Sequence, residues 1–138
     1  FLMRPSWEEY ALKIASTVAE RSEDMYQKVG ACVLNDKNMV IAVGYNGLAP
    51  GKKVGYQFLR NRNHRRPYMI HAEVNCLSLI KRGEGKLLAC TLLPCSYCAT
   101  MIAAYGIEKV VYSQIYNMDK KGLEIFDFYG IECVRYGN

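Results

Sequence analysis

The chain has 138 residues, 51% hydrophobic and 22% charged, with a net charge of +5. That balance excludes wholesale disorder, and the length suits one domain over residues 1–138. No run approaches the roughly 18–20 consecutive apolar residues that span a bilayer, and six cysteines are too few for a disulfide scaffold. No basic-then-apolar leader precedes the first helix signal. The expectation is therefore a soluble intracellular protein, cytoplasmic, without membrane contact.

Ser6-Trp7-Glu8-Glu9 has the form of a capping box, and Trp7, Tyr10, Ala11, Ile14, Ala15 and Val18 follow at helical spacing as far as about Arg21. Val29–Leu34 and Met39–Tyr45 are β-rich runs joined by Asn35-Asp36-Lys37-Asn38, a hairpin signal. Glycines and a proline argue against regular structure in the first half of the next segment. A helix is then expected from about His71 to Arg82, stopped by Gly83. Leu87–Leu93 is apolar on both faces, as a central covered strand should be. Pro94 opens a helix that ends at Gly106, Val110–Tyr112 forms a strand, Leu123–Tyr129 a helix, and Ile131–Tyr136 the last strand. The order αββαβαβαβ predicts an α/β fold. It should be a three-layer αβα sandwich around a mixed five-stranded sheet, with helices on both faces.

Between Gly47 and Ile70 lie Lys52, Lys53, Arg60, Arg62, Arg65 and Arg66 with no carboxylate. Without these six, 12 basic residues face 13 acidic ones, so the positive excess sits in this segment. Such focusing suits an anion, above all a phosphate; a solvated loop is the alternative.

Four cysteines (Cys32, Cys76, Cys90 and Cys133) lie singly in apolar stretches and are expected to act as small buried hydrophobes. Cys95 and Cys98 form the one close pair. With His71 they offer an imidazole and two thiolates, a set that zinc prefers, and no second pair is present to close a structural site. Three protein ligands leave one position for water, the catalytic arrangement. The starts of two helices bring the three together, and each start carries roughly half a positive charge that favours thiolate. Glu73, two residues from His71, can reach a metal-bound water as general acid/base without binding the metal.

His-x-Glu followed by Pro-Cys-x-x-Cys is the signature of zinc nucleobase deaminases. The chain resembles the deoxycytidylate (dCMP) deaminases of the zinc-dependent cytidine/deoxycytidylate deaminase superfamily. The residues that carry the likeness are Arg21-Ser22, Val29-Gly30-Ala31-Cys32, Gly44-Tyr45-Asn46-Gly47, His71-Ala72-Glu73-Val74-Asn75, Leu93-Pro94-Cys95-Ser96-Tyr97-Cys98-Ala99, Gly106-Ile107, Tyr116 and Gly130-Ile131-Glu132. The resemblance implies a cytidine deaminase-like fold and hydrolysis of dCMP at C4 of the cytosine. The products are dUMP and ammonia, and the dUMP supplies thymidylate (dTMP) synthesis. It implies one catalytic Zn2+ held by His71, Cys95 and Cys98, with Glu73 shuttling the proton. It also implies Asn46 on the sugar, the Ala72 backbone on the base and Tyr116 on the 5′-phosphate. Relatives are commonly homo-oligomers, often hexamers, activated by dCTP and inhibited by dTTP with Mg2+; Tyr45 and Asn75 are the effector-site candidates.

The likeness has two departures. The chain lacks the extra Cys and His of relatives with a second, structural zinc, which leaves His64 as a phosphate neighbour or a surface residue. Asp24–Lys28 differs from a Cys/Arg-containing version in some relatives. The rival readings are a zinc deaminase of tRNA adenosine or free cytidine, a zinc-stabilised binding domain without catalysis, and a redox Cys-x-x-Cys. Length, and the nucleotide-like Gly44–Gly47 and Tyr116, count against a nucleic-acid substrate.

Overall fold

The computed structural model describes residues 3–137. In chain order its elements are α1 (Trp7–Ala19), β1 (Gly30–Leu34), β2 (Val40–Tyr45), α2 (Tyr56–Arg60), α3 (Arg62–Arg65), a 3-10 turn (Arg66–Tyr68), α4 (Ala72–Leu77), β3 (Leu87–Leu92), α5 (Ser96–Ala104), β4 (Lys109–Gln114), α6 (Gly122–Phe128) and β5 (Glu132–Arg135). The sheet runs β2-β1-β3-β4-β5. It is antiparallel across β2/β1 and β1/β3, and parallel across β3/β4 and β4/β5. This is the expected mixed five-stranded sheet.

Strand alternation sorts the core into two layers. Ala31, Val33, Leu88, Cys90 and Val110 face α4, α5 and α6, whereas Cys32, Leu34, Leu87, Ala89 and Val111 face α1. The capping box forms as the sequence specifies: Ser6 Oγ accepts the Glu9 N–H at 3.2 Å and Glu9 returns to the Ser6 N–H at 2.9 Å. The hairpin turn also forms, with Asn35 Oδ1 accepting the Lys37 and Met39 N–H groups at 2.9 Å.

Some details depart from expectation. The stripe of α1 against the sheet is Ala11, Ala15 and Ala19, while Trp7 and Tyr10 stay on its rim as an edge-to-face pair 5.6 Å apart. The cause is close approach: a Cβ on Gly30 would collide with the Ala15 carbonyl, so only alanines fit that interface. Secondly, α4 ends at Leu77, not Arg82. Beyond it the Leu79 and Ile80 N–H groups turn to the Cys76 and Leu77 carbonyls at 3.2 and 3.1 Å, and Ser78 Oγ donates to the Asn75 carbonyl at 2.7 Å. Those tighter turns fold Ile80 back onto the core. Finally, the basic segment folds into α2, α3 and the 3-10 turn. Reciprocal N–H···O bonds of 3.0 and 2.7 Å between Gly47 and Ile70 return it to the sheet.

Among the described residues no helix is long and apolar enough to cross a membrane.

Candidate active site

His71 follows that Gly47–Ile70 bridge directly and occupies the N-cap position of α4; Cys95 occupies the N-cap of α5 after β3. Helix α4 lies hard against β2 because Gly44 has no side chain. A Cβ there would come within 2.5 Å of the Cys76 nitrogen and 2.8 Å of the Ala72 carbonyl. The two helix starts therefore meet at one edge of the sheet. His71 Nδ1 lies 3.2 Å from Cys98 Sγ and 3.6 Å from Cys95 Sγ, and all three donor atoms fall within 4.8 Å of one another. Zinc with sulfur at about 2.3 Å and nitrogen at about 2.0–2.1 Å in a tetrahedron spaces its donors roughly 3.5–3.8 Å apart. The two nitrogen–sulfur distances lie within a few tenths of an ångström of that spacing.

The electrostatics agree with the donor chemistry. Cys95 is the one thiol of the six drawn down, to about 4, first by a hydrogen bond from Cys98 and then, against burial, by His71. Cys98 is driven up by the proton it shares with Cys95 and by burial. Burial alone pushes Cys32 and Cys133 up to about 11, as inert thiols require. The His71 ring is held above its ordinary value, chiefly by its hydrogen bond to Cys95, with burial opposing. A nitrogen and a ready thiolate thus converge on one point.

Glu73, at the second position of α4, is buried, and burial raises its carboxyl to about 6. Its own backbone N–H, the His71 charge and the Cys90 thiol oppose that rise. A carboxyl in this range both takes and returns a proton near neutrality.

Above these groups opens a cleft. It is lined by His71, Ala72, Glu73 and Cys95, by Arg62, Arg65, Arg66 and Tyr116, and by Asp24, Gln27 and Asn46. Ala72, fully buried, presents the first turn of α4 to it. The loop after β4 that carries Tyr116 is pinned to the start of α5 by Asp119, which accepts the Ser96 N–H at 2.9 Å and its hydroxyl at 2.7 Å.

A family model described as the cytidine and deoxycytidylate deaminase zinc-binding region matches residues 5–114. The chain belongs to this family. It is 37% identical over 144 residues to the deoxycytidylate deaminase of Saccharomyces cerevisiae, a match covering 94% of this chain and 45% of the yeast protein. The chain thus spans less than half of that relative's length. It is 38% identical over 126 residues to the deoxycytidylate deaminase of Mycobacterium phage D29, covering 80% of this chain and 97% of the phage protein. The crystal structure of the dCMP deaminase from cyanophage S-TIM5 in complex with dCMP and dUMP matches with a TM-score of 0.81. Its identity is 27%, and the match covers 98% of this chain and 100% of that one.

Against this deaminase frame the remaining candidates divide. Asn46 lies on the cleft, but its amide is engaged within the protein. Oδ1 accepts from Ser22 Oγ at 2.7 Å and the Val29 N–H at 2.8 Å, while Nδ2 donates to the Gln27 carbonyl at 2.8 Å and Asp24 Oδ2 at 3.3 Å. Tyr45 and Asn75 meet each other outside the cleft lining, where the Asn75 amide donates to the Tyr45 carbonyl at 2.8 Å and ties α4 to β2. His64 sits in an aromatic cluster, its ring 5.5 Å from Phe58 and 6.1 Å from Tyr68. The sequence leaves open which residues of the basic segment face an anion, and in the structure Arg62, Arg65 and Arg66 line the cleft. Lys52, Lys53 and Arg60 do not line the cleft, and Arg65 is buried in a two-pronged ion pair with Asp24, both bonds 3.0 Å. Sequence reasoning missed Asp24, Tyr26 and Asp119, because a single polar residue in a loop leaves no periodic or spacing signal.

Proposed function

We propose that the chain catalyses hydrolytic deamination of dCMP to dUMP and ammonia. The observation that carries this is the buried Glu73 carboxyl beside the His71, Cys95 and Cys98 donors, in a cleft that Arg62, Arg65 and Arg66 also line. The names of the relatives and the dCMP- and dUMP-bound cyanophage structure support the choice of substrate.

His71 Nδ1 and the Cys95 and Cys98 sulfurs would hold a zinc ion, which when bound would supply an acidified water at neutral pH. Glu73 takes a proton from the attacking water and delivers it to ring N3. It then relays the second to the exocyclic nitrogen as the C4–N4 bond breaks, so water and dCMP give dUMP and ammonia. The first-turn backbone at Ala72 meets the base, Asn46 fixes the sugar edge of the cleft and Tyr116 meets the 5′-phosphate.

The regulatory part of the proposal is a homo-oligomer, hexameric by likeness to its relatives, activated by dCTP and inhibited by dTTP with Mg2+. Tyr45 and Asn75 lie at its effector site, and the dUMP feeds dTMP synthesis. Its support is the resemblance carried by Gly44–Gly47 and His71–Asn75.

The test offers dCMP, cytidine and a tRNA anticodon hairpin side by side to the zinc-loaded protein, with dCTP, dTTP and Mg2+ added in turn. Turnover of dCMP, slowed by dTTP, is expected. Hairpin editing with inert dCMP would reverse the assignment, and identical dCMP rates in every effector condition would remove the regulatory part.

A further inference from the structure

The segment that carries Arg60 to Tyr68 is clasped to the loop after α1. Asp24 grips Arg65 through both oxygens at 3.0 Å, and the pair is buried. The same carboxylate accepts the Tyr26 and Gln27 N–H groups at 2.7 and 3.0 Å, which fixes its orientation. Tyr26 lays its ring beneath two guanidinium carbons, those of Arg62 and Arg65, each 5.1 Å from its centroid, and its hydroxyl donates to the Arg60 carbonyl. Four contacts from one loop thus hold residues 60, 62 and 65 in register.

Stability is a poor explanation for this clasp. A buried ion pair rarely outperforms apolar residues of the same volume, and here Arg65 Nε is left buried without an acceptor, which is unfavourable. What the clasp does accomplish is placement. Arg62 and Arg66 line the same cleft as Glu73, and among the described residues neither has a carboxylate within ion-pair distance. Arg65, neutralised by Asp24, adds no free charge. Two uncompensated guanidinium groups over a cleft match a phosphate monoester in charge and in forked geometry.

We propose that Asp24 and Tyr26 are positioning residues that set Arg62 and Arg66 as the wall reading the substrate's phosphate, so that the cleft selects a nucleoside 5′-monophosphate over the nucleoside. The proposal rests on the deaminase reading of the same cleft. The clasp orders the arginine-bearing segment before substrate arrives. Losing it shifts that ordering cost onto binding, which raises KM and leaves the chemical step largely alone.

The experiment uses the zinc-loaded full chain and two readouts: kcat and KM for dCMP and deoxycytidine, and calorimetric binding of dUMP and deoxyuridine, which needs no turnover. The variants are the double Arg62→Gln/Arg66→Gln, Asp24→Asn, and the exchange Asp24→Arg/Arg65→Asp, with circular dichroism reporting folding. In the first two, kcat/KM for dCMP should fall about 10–100-fold through KM, dUMP affinity should fall in parallel, and the dCMP-to-deoxycytidine preference should collapse. The exchange should regain part of the preference lost in Asp24→Asn. Should Asp24→Asn fail to fold, Tyr26→Leu, at an exposed position, tests the clasp in its place, and a KM for dCMP unchanged in that variant overturns the positioning role.

A retained dCMP preference in the double variant overturns the wall, as does an equal fall for both substrates. A wild type that turns over neither substrate but binds dUMP through those arginines overturns the deaminase reading and keeps the wall. A wild type that binds and turns over neither overturns both.

Discussion

Glu73 sits at the second position of α4, so a helix start and not a loose loop aims its carboxyl beside the metal donors. Replacing it by glutamine keeps size and burial but removes the proposed proton relay. We expect Glu73→Gln to retain zinc and fold while turnover falls about 10²–10⁴-fold; a variant with near-normal turnover would show that another group moves the proton. Cys95 makes a complementary prediction. Its thiol alone is drawn toward thiolate, whereas a serine hydroxyl there stays neutral. Elemental analysis of Cys95→Ser should show zinc lost, with Cys133→Ser, whose thiol is inert, keeping it. These residues were legible in the sequence because helix starts and the Cys-x-x-Cys repeat are local features. The Asp24–Arg65 pair was not: its partners lie 41 positions apart, and an ion pair across such a distance leaves no periodic trace.

The elements were legible where a cap or a hydrophobic period marked them, as at Ser6, Asn35–Asn38 and the doubly buried β3. Their ends and faces were less so. The α1 stripe was misjudged because the decisive constraint, the absent Cβ of Gly30, lies in another element. The same logic makes Gly44→Ala informative, since the added methyl pushes α4 from β2 where Ala72 and Cys76 pass. A loss of about 1–3 kcal/mol is expected in urea melts, with zinc affinity falling too; wild-type values would show the helix–strand gap is wider than it looks. In the first turn of α1, Glu8 pairs with Lys109 of β4 at 2.9 Å. The lysine's hydrogen bond holds the Glu8 carboxyl below its ordinary value, and the carboxylate holds Lys109 above its own. The Glu8 contribution is present above the ordinary carboxyl value and is lost as pH falls through the lowered one. The Lys109 contribution is present below the ordinary ammonium value and is lost as pH rises through the raised one. Glu8→Gln should therefore cost about 0.5–1 kcal/mol at pH 7 and nearly nothing in strong acid. A gap that persists undiminished at low pH would point to packing, not charge.

At the scale of the whole molecule, the donors come from two helices that touch the sheet through different strands, α4 over β2 and α5 after β3. A metal held by both therefore joins two parts of the fold at the cleft, and its binding energy adds to folding. The fold class was readable from element order, because right-handed crossovers and a leading hairpin admit few arrangements. The tying of the loops around the cleft, by Asp119 to Ser96 and by Asp24 to Arg65, was not. If the metal acts as such a staple, removing it should destabilise the whole chain and not merely silence it. Dialysis against a zinc chelator should lower the melting temperature by roughly 10–20 °C, the shift expected for about 4 kcal/mol of linked binding in a domain of this size. Zinc should restore it, and Cys95→Ser should melt at the chelated temperature with or without added zinc. Equal melting of the stripped and loaded protein would mean that the two helix starts are held in place by packing alone.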